Sequence, residues 1–329
     1  MLEINKIKTD PDFIIKKLEK RGIDVKKNID LILNLDKKRI NNQQKLDGLL
    51  SEANKIAQEI GKRVKEGESG NLHSLKNRAS EIKITSKKLL QRGKEIEIEI
   101  KNILVQIPNT PHEEVPDGDN ENDNIVDYEW GEGKVDENLL PHWDLAEKYN
   151  IIDFKKGAKI TGSGFPLYKG MGAKLQRALI NFFLDYNSRA GYEEYIPPYF
   201  VNETSAFNTG QLPDKEGMMY HIKNDDLYVI PTAEVPITNI FSNTKFHTED
   251  LPIKCTAYSP CFRREAGSYG KEVRGLNRLH QFDKVEIVQI CHPNESYETL
   301  SKMVQHVSEL LKQLGLKFRI LKLCGGDLG

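Results

Sequence analysis

Two hydrophobic seams separated by a five-residue break constrain this chain more than any other feature. Ile32, Leu35, Leu46, Leu49, Ala53, Ile56 and Ile60 fall at alternating steps of three and four, with Arg39 and Asn42 filling two slots of the seam. Leu72, Leu75, Ala79, Ile82, Leu89, Ile96, Ile100 and Ile103 repeat the pattern, interrupted by Ser86 and Gly93. Such spacing is the a/d stripe of a coiled coil. Between the seams lies Gly67-Glu68-Ser69-Gly70-Asn71, a helix break. Two helices joined by so short a turn pair antiparallel. Each holds roughly 35 residues, so at ~1.5 Å per residue the hairpin reaches about 50 Å. A dimerising coiled coil shares the regular seam, but the break favours a hairpin that pairs with itself.

The arm is also where positive charge collects. Residues 1–106 carry 24 Lys and Arg against 16 Asp and Glu, a net of +8. The remainder carries 24 against 33, a net of −9, so the whole chain sits at −1. Lys37, Lys38, Lys55, Lys62, Arg63, Lys65, Arg78, Lys83, Lys87, Lys88 and Arg92 decorate the outer faces of the hairpin. A long cationic rod suits RNA held by shape and phosphate contacts. A lysine-rich solvated helix has the same composition.

At 329 residues the chain is expected to form two domains. It has no run of about 18 apolar residues to span a membrane, and MLEINKIKTDPDF has no apolar core of a signal peptide. Cys255, Cys261, Cys291 and Cys324 form no C-x-x-C pair, which fits a reducing cytosol and neither a disulfide framework nor a zinc site.

IPNTPHEEVPDGDNENDN (107–124) reads as a linker. Residues 172–190 read as an amphipathic helix, with Leu175, Ala178, Leu179, Phe182 and Phe183 on one side, and 294–314 as another. Apolar runs at 192–201, 227–237, 253–263, 280–290 and 316–324 read as strands. Strands joined by loops with few helices between them predict an α+β fold around an antiparallel sheet. No G-x-G-x-x-G follows a strand, which argues against a doubly wound nucleotide fold.

The stretch FRREAGSYGKEVRGLNRLHQF (262–282) places arginines and a ring on the two sides of a glycine-containing loop. Arg263 ends one strand and offers a planar fork suited to phosphate or carboxylate. Phe282 begins the next strand and offers a stacking face. Lys271 and Arg274 lie in the loop between them. Taken alone, Arg263 and Glu234 read as ordinary surface charges and Phe282 as a core ring. Glu286, set among Val285, Ile287 and Val288, is the exception, because a carboxylate on a central strand is costly and points to function. His280 and His292 read as structural, and no His/Cys/Asp spacing makes a metal site.

F-R-x-E, a loop and R-x-x-x-F together resemble motif 2 of class II aminoacyl-tRNA synthetases, and the fuller string to Val288 resembles the seryl-tRNA synthetases. PTAEVPIT (231–238) is similar to that family's T-x-E loop. NTGQLP (208–213) and TGSGFPLYKG (161–170) occur in the matching order, and GYEEYIPPYFVN (191–202) resembles motif 1. The resemblance runs from Met1 to Gly329. It implies a tRNA-binding domain over 1–106 built on the coiled-coil arm. It further implies a linker and junction over 107–150, and a catalytic domain over 151–329 with motifs 1 and 2.

The family's roles then carry over residue by residue. Arg263 would be catalytic, holding the α-phosphate of ATP and the substrate carboxylate. Arg264 and Glu265 would bind ATP beside it, with Glu265 accepting from the adenine amino group. Arg278 would contact the triphosphate, and Phe282 would stack on adenine. Thr232, Ala233, Glu234 and Glu286 would line the serine pocket. The implied activity is a serine–tRNA ligase that forms seryl-adenylate and transfers it to tRNA(Ser), and also to tRNA(Sec) where that exists. ATP is the co-substrate and Mg2+ is expected. The implied setting is a cytoplasmic homodimer. In the family, LKLCGGDLG (321–329) precedes roughly a hundred further residues bearing motif 3 and the magnesium segment. The resemblance therefore implies a fragment of a longer chain, inactive alone and with no metal ligands of its own. The alternative is a synthetase-like tRNA-binding protein without catalysis.

Overall fold

The computed structural model describes residues 2–67, 72–131, 139–264 and 274–329. The chain divides into two compact units, Met1–Glu129 with Arg319–Gly329, and Trp130–Phe318.

The first unit opens with α1 (Ile4–Thr9) and α2 (Pro11–Glu19). The Asp10 carboxylate caps α2 by accepting from the Phe13 amide at 3.0 Å, and Pro11 sits in the first turn, where no amide is needed. Then come α3 (Lys26–Lys65) and α4 (Leu72–Leu104), of 40 and 33 residues. At ~1.5 Å per residue they run about 60 and 50 Å. They pack against each other with partners in opposite order, Asn42 with Leu89 and Glu52 with Arg78, so the seams form an antiparallel hairpin. Of the expected break, Gly67 has a left-handed φ of 73°, and residues 68–71 lie outside the described residues.

The polar interruptions of the seams fit one another. The Asn42 side-chain amide donates to the Leu89 carbonyl at 2.9 Å, and a Cβ at Gly93 would stand only 3.3 Å from that amide nitrogen. A side chain at 93 would therefore crowd the amide, and one half-buried Asn pins the register. At the base, Ile29, Ile32 and Leu35 of α3 meet Ile96, Ile100 and Leu104 of α4, with Ile7, Ile14 and Leu18 closing the core. Asp36 is 2% exposed there, held by Lys8 at 2.8 Å and Arg39 at 2.7 Å. Burial pushes its carboxyl up, but hydrogen bonds from Lys8 and Arg39 outweigh that and hold it below the usual carboxylate range. Several arm cations are already engaged: Arg78 forks onto Glu52, Arg92 reaches Glu95 and Glu99, and Arg63 reaches Glu59.

The stretch read as a linker lacks an α-helix but is not loose. It ends in β1 (Ile125–Trp130) and carries hydrogen bonds to the chain's last residues: Gly325 donates to the Pro116 carbonyl, and Cys324 to the Asn124 side chain.

The second unit contains α5 (His142–Lys148), β2 (Ile152–Asp153), α6 (Phe154–Ile160), β3 (Leu167–Tyr168) and α7 (Met171–Arg189). The helix α7 packs so closely on the preceding chain that a Cβ at Gly172 would overlap the Ile151 carbonyl. The run at 192–201 forms two strands, β4 (Glu193–Tyr195) and β5 (Phe200–Asn202), divided at Pro197 and Pro198, which donate no ladder bond. Next follow α8 (Glu203–Asn208), β6 (Tyr220–Ile222), β7 (Leu227–Val229) and α9 (Glu234–Ile240).

The strand expected over 227–237 is thus corrected. It ends at Val229 and turns into α9, whose first turn tolerates Pro236. The apolar residues Val235 and Ile237 are buried from a helix instead. The long strands β8 (Ile253–Phe262) and β9 (Gln281–Ile290) pair antiparallel over their whole length, and β4 adds to β8 in parallel. A second sheet has the order β5-β7-β6. After α10 (Ser296–Gln313), β10 (Phe318–Lys322) pairs with β1. The fold is mixed helix and sheet with a long helical arm, as the sequence predicts, and the parallel pairing of β4 with β8 departs from the expected antiparallel sheet.

Candidate active site

The register of β8 and β9 builds the site. Cys261 lies opposite Phe282, Ser259 opposite Lys284, Ala257 opposite Glu286 and Cys255 opposite Val288. Side chains alternate along a strand, so these share one face. The β8 members are small and 0–1% exposed. They form a low floor beside which Phe282, Lys284 and Glu286 stand up. Two of these thiols, Cys255 and Cys261, are pushed up by burial and stay protonated.

The turn before α9 closes one end. The Thr232 hydroxyl donates to Glu286 Oε2 at 2.6 Å, and Lys284 Nζ reaches the same oxygen at 2.7 Å. Lys284 also donates to Thr232 Oγ1 at 3.3 Å, as does the Glu234 amide at 3.2 Å. The bonds from Thr232 and Lys284 to Glu286 both fall on Oε2, and among the described residues no hydrogen bond or ion pair is made at Glu286 Oε1. Ala233 is fully buried and packs with Ala257, which fixes the turn. The Glu234 side chain is exposed.

The other end belongs to Arg263. Its amide donates to the His280 carbonyl at 3.0 Å, and its guanidinium stands 5.3 Å from the centre of the Phe282 ring. That is cation–π distance, and it puts the fork and the ring on one face. Four residues separate Phe282 from Glu286, about 13 Å along the strand. Arg264 lies outside this face: it is exposed, its amide donates to Met218, and its guanidinium stands 5.9 Å from the Tyr220 ring. Arg278 is exposed in the approach to β9. Glu265 lies outside the described residues.

Behind the sheet, a polar chain steadies Glu286. His306 Nε2 bonds Asn187 Oδ1 at 2.8 Å, Asn187 Nδ2 donates to Thr256 Oγ1 at 2.9 Å, and Thr256 Oγ1 donates to the Glu286 carbonyl at 2.9 Å. Burial pushes the His306 imidazole down, with Lys254 adding to the shift, which favours the neutral ring.

Sequence reasoning missed Lys284. The signal was present, since Phe282, Lys284 and Glu286 alternate along one strand, but a lysine between apolar residues reads as a solvated position until its partner is seen.

The family profile described as "Seryl-tRNA synthetase N-terminal domain" matches residues 1–111. The profile described as "tRNA synthetase class II core domain (G, H, P, S and T)" matches residues 219–329. A serine–tRNA ligase of Salinibacter ruber is 43% identical over 100% of this chain and 77% of the relative. The crystal structure of a seryl-tRNA synthetase from Pyrococcus horikoshii complexed with ATP superposes with a TM-score of 0.90 at 34% identity. That match covers 100% of this chain and 78% of the other. A cytoplasmic serine–tRNA ligase from Naegleria fowleri in complex with AMP gives 0.84 at 27% identity, over 100% of this chain and 79% of the other. On these matches, which run its whole length, the chain belongs to the seryl-tRNA synthetase family.

Proposed function

We propose that this protein is a serine–tRNA ligase. The observation that carries the reading is the hydrogen bond from Thr232 to Glu286 on the sheet face that also bears Phe282 and Arg263. The serine carboxylate attacks the α-phosphorus of ATP, the bond to the bridging oxygen breaks, and pyrophosphate leaves. The terminal ribose hydroxyl of tRNA then attacks the seryl carbonyl and AMP leaves. Arg263 holds the α-phosphate and the carboxylate together and balances the charge that builds as they join. Phe282 stacks on adenine. Arg264, Glu265 and Arg278 add contacts to ATP.

Thr232, Ala233, Glu234 and Glu286 form the serine pocket, with acceptors for the ammonium and for the hydroxyl. Alanine brings no donor to the second oxygen of Glu286, whose first is already held by Thr232 and Lys284, and that is the basis of its rejection. Mg2+ accompanies ATP in this reading. Among the described residues no group of three or more His, Cys, Asp or Glu side chains could hold a metal ion, and no step here runs through one.

Residues 1–106 serve as the tRNA-binding domain, 107–150 as the junction and 151–329 as the catalytic domain. The tRNA partner is tRNA(Ser), and tRNA(Sec) where it exists. The working form is a cytoplasmic homodimer joined through the 191–202 region. Ile196, an apolar residue 84% exposed in that region, supports a covered face there. No described helix is long and apolar enough to cross a membrane.

Serine-dependent ATP–pyrophosphate exchange by the full-length gene product, with threonine and alanine as competitors, tests the reading. Exchange driven by serine alone is expected. Folded protein that binds tRNA yet catalyses no exchange would leave only a binding module.

A further inference from the structure

The residues that lead into β9 are pinned at two points, and only one of the pins belongs to the face described above. The second pin, nearer β9, is His280. Its amide donates to the Gly164 carbonyl at 2.9 Å, its ring stacks on Phe165 at 5.2 Å, and its Nδ1 meets Tyr220 Oη at 2.8 Å. The first pin lies on α5, far away in sequence. His142 Nε2 accepts from the Leu276 amide at 2.7 Å. The neighbouring Trp143 ring lies 4.9 Å from the Arg274 guanidinium, and Asp144 lies 3.9 Å from the same group.

Gly275 fits this dock by necessity. Its φ is +74°, and a Cβ there would overlap the His142 ring. Between the two pins Leu279 is buried and Asn277 and Arg278 are exposed. A span of three residues held at both ends fixes the stretch of backbone from which the Arg278 side chain projects.

From this geometry we infer that His142 is a positioning residue: it fixes Leu276 so that Arg278 is presented to the polyphosphate of the nucleotide. The inference rests on the ligase reading for the identity of that nucleotide. A hydrogen bond from a backbone amide to a side-chain acceptor holds one point of the loop at little entropic cost during binding. Its loss leaves the Arg278 side chain intact but unplaced.

The test is steady-state exchange by the full chain with ATP and serine varied separately. His142→Ala is expected to raise the KM for ATP about tenfold, the worth of one well-placed hydrogen bond, with the KM for serine within about twofold. His142→Gln, whose side-chain carbonyl accepts from Leu276, restores most of the loss. Gly275→Ala reproduces it from the other side of the contact. A purely structural role would lower the melting temperature or the active fraction and move both KM values together or neither. Either of those outcomes, or His142→Gln behaving like His142→Ala, overturns the inference.

Amide hydrogen exchange at Leu276 separates this failure from that of the ligase reading, because it needs no activity. Wild-type protein that slows exchange at Leu276, with His142→Ala accelerating it about tenfold, supports the dock even if serine drives no pyrophosphate exchange. Equal rates in the two proteins overturn it.

Discussion

Asp36 in the arm base and Glu286 in the sheet are both carboxylates held by a lysine, and they differ in what is left over. Asp36 is 2% exposed, and Lys8 and Arg39 occupy both of its oxygens. Glu286 is 17% exposed, and Lys284 and Thr232 converge on one oxygen. The first carboxylate is closed and contributes to stability. The second keeps an acceptor in reserve, as a binding site must. Burial alone does not mark function; unspent hydrogen-bonding capacity at the edge of a rigid strand does.

The comparison is broken most strongly by separating the two regions. Replacing residues 43–88 by a short turn keeps the base, where Ile29, Ile32 and Leu35 pack on Ile96, Ile100 and Leu104. Aminoacylation of tRNA is expected to fall more than about 1000-fold because a rod of phosphate contacts is lost, while adenylate formation stays near wild type. Equal loss of both activities would contradict a division of labour. Next, Glu286→Ala is expected to lower kcat/KM for serine about 100- to 1000-fold, since the ligand loses a charged partner, with only a modest fall in melting temperature as Thr232 and Lys284 lose their acceptor.

Asp36→Ala has the reverse signature. Urea titration should show a loss of about 1.5–3 kcal/mol, the worth of charge-assisted hydrogen bonds from the half-exposed Lys8 and Arg39 to a buried carboxylate, with exchange activity per folded molecule retained. The pH dependence follows from the sign of its shift. A carboxyl held low in the folded state stabilises above its unfolded value, and that contribution drains away as pH falls through the folded one. The acid limb of wild-type stability should therefore flatten in Asp36→Ala. Smallest is Arg78→Ala, which removes an exposed fork onto Glu52 and should leave the urea midpoint almost unmoved in the same titration.

What the sequence displays follows the same division. The arm was legible because a helical seam is local: each turn announces the next, and even Asn42 and Gly93 stood out as breaks in the rhythm. The long strands were legible from β-branched runs. The pocket was only half legible. Glu286 betrayed itself as a charge among Val285, Ile287 and Val288, but its bond to Thr232 spans 54 residues and depends on the turn before α9. From sequence that turn reads as a strand, because Ile230, Val235 and Ile237 look the same in either conformation. Lys284 and His142 were invisible for a related reason: each acquires meaning only from a partner brought close by tertiary packing.

The central claim is that Glu286 reads the serine hydroxyl, and the ratio of kcat/KM for serine over alanine in pyrophosphate exchange tests it directly. A site built to hydrogen-bond a hydroxyl should favour serine by about 10⁴ or more in the wild type. The account predicts that Glu286→Ala collapses that ratio toward about 10 while the folded sheet persists. A ratio unchanged by the substitution would contradict it.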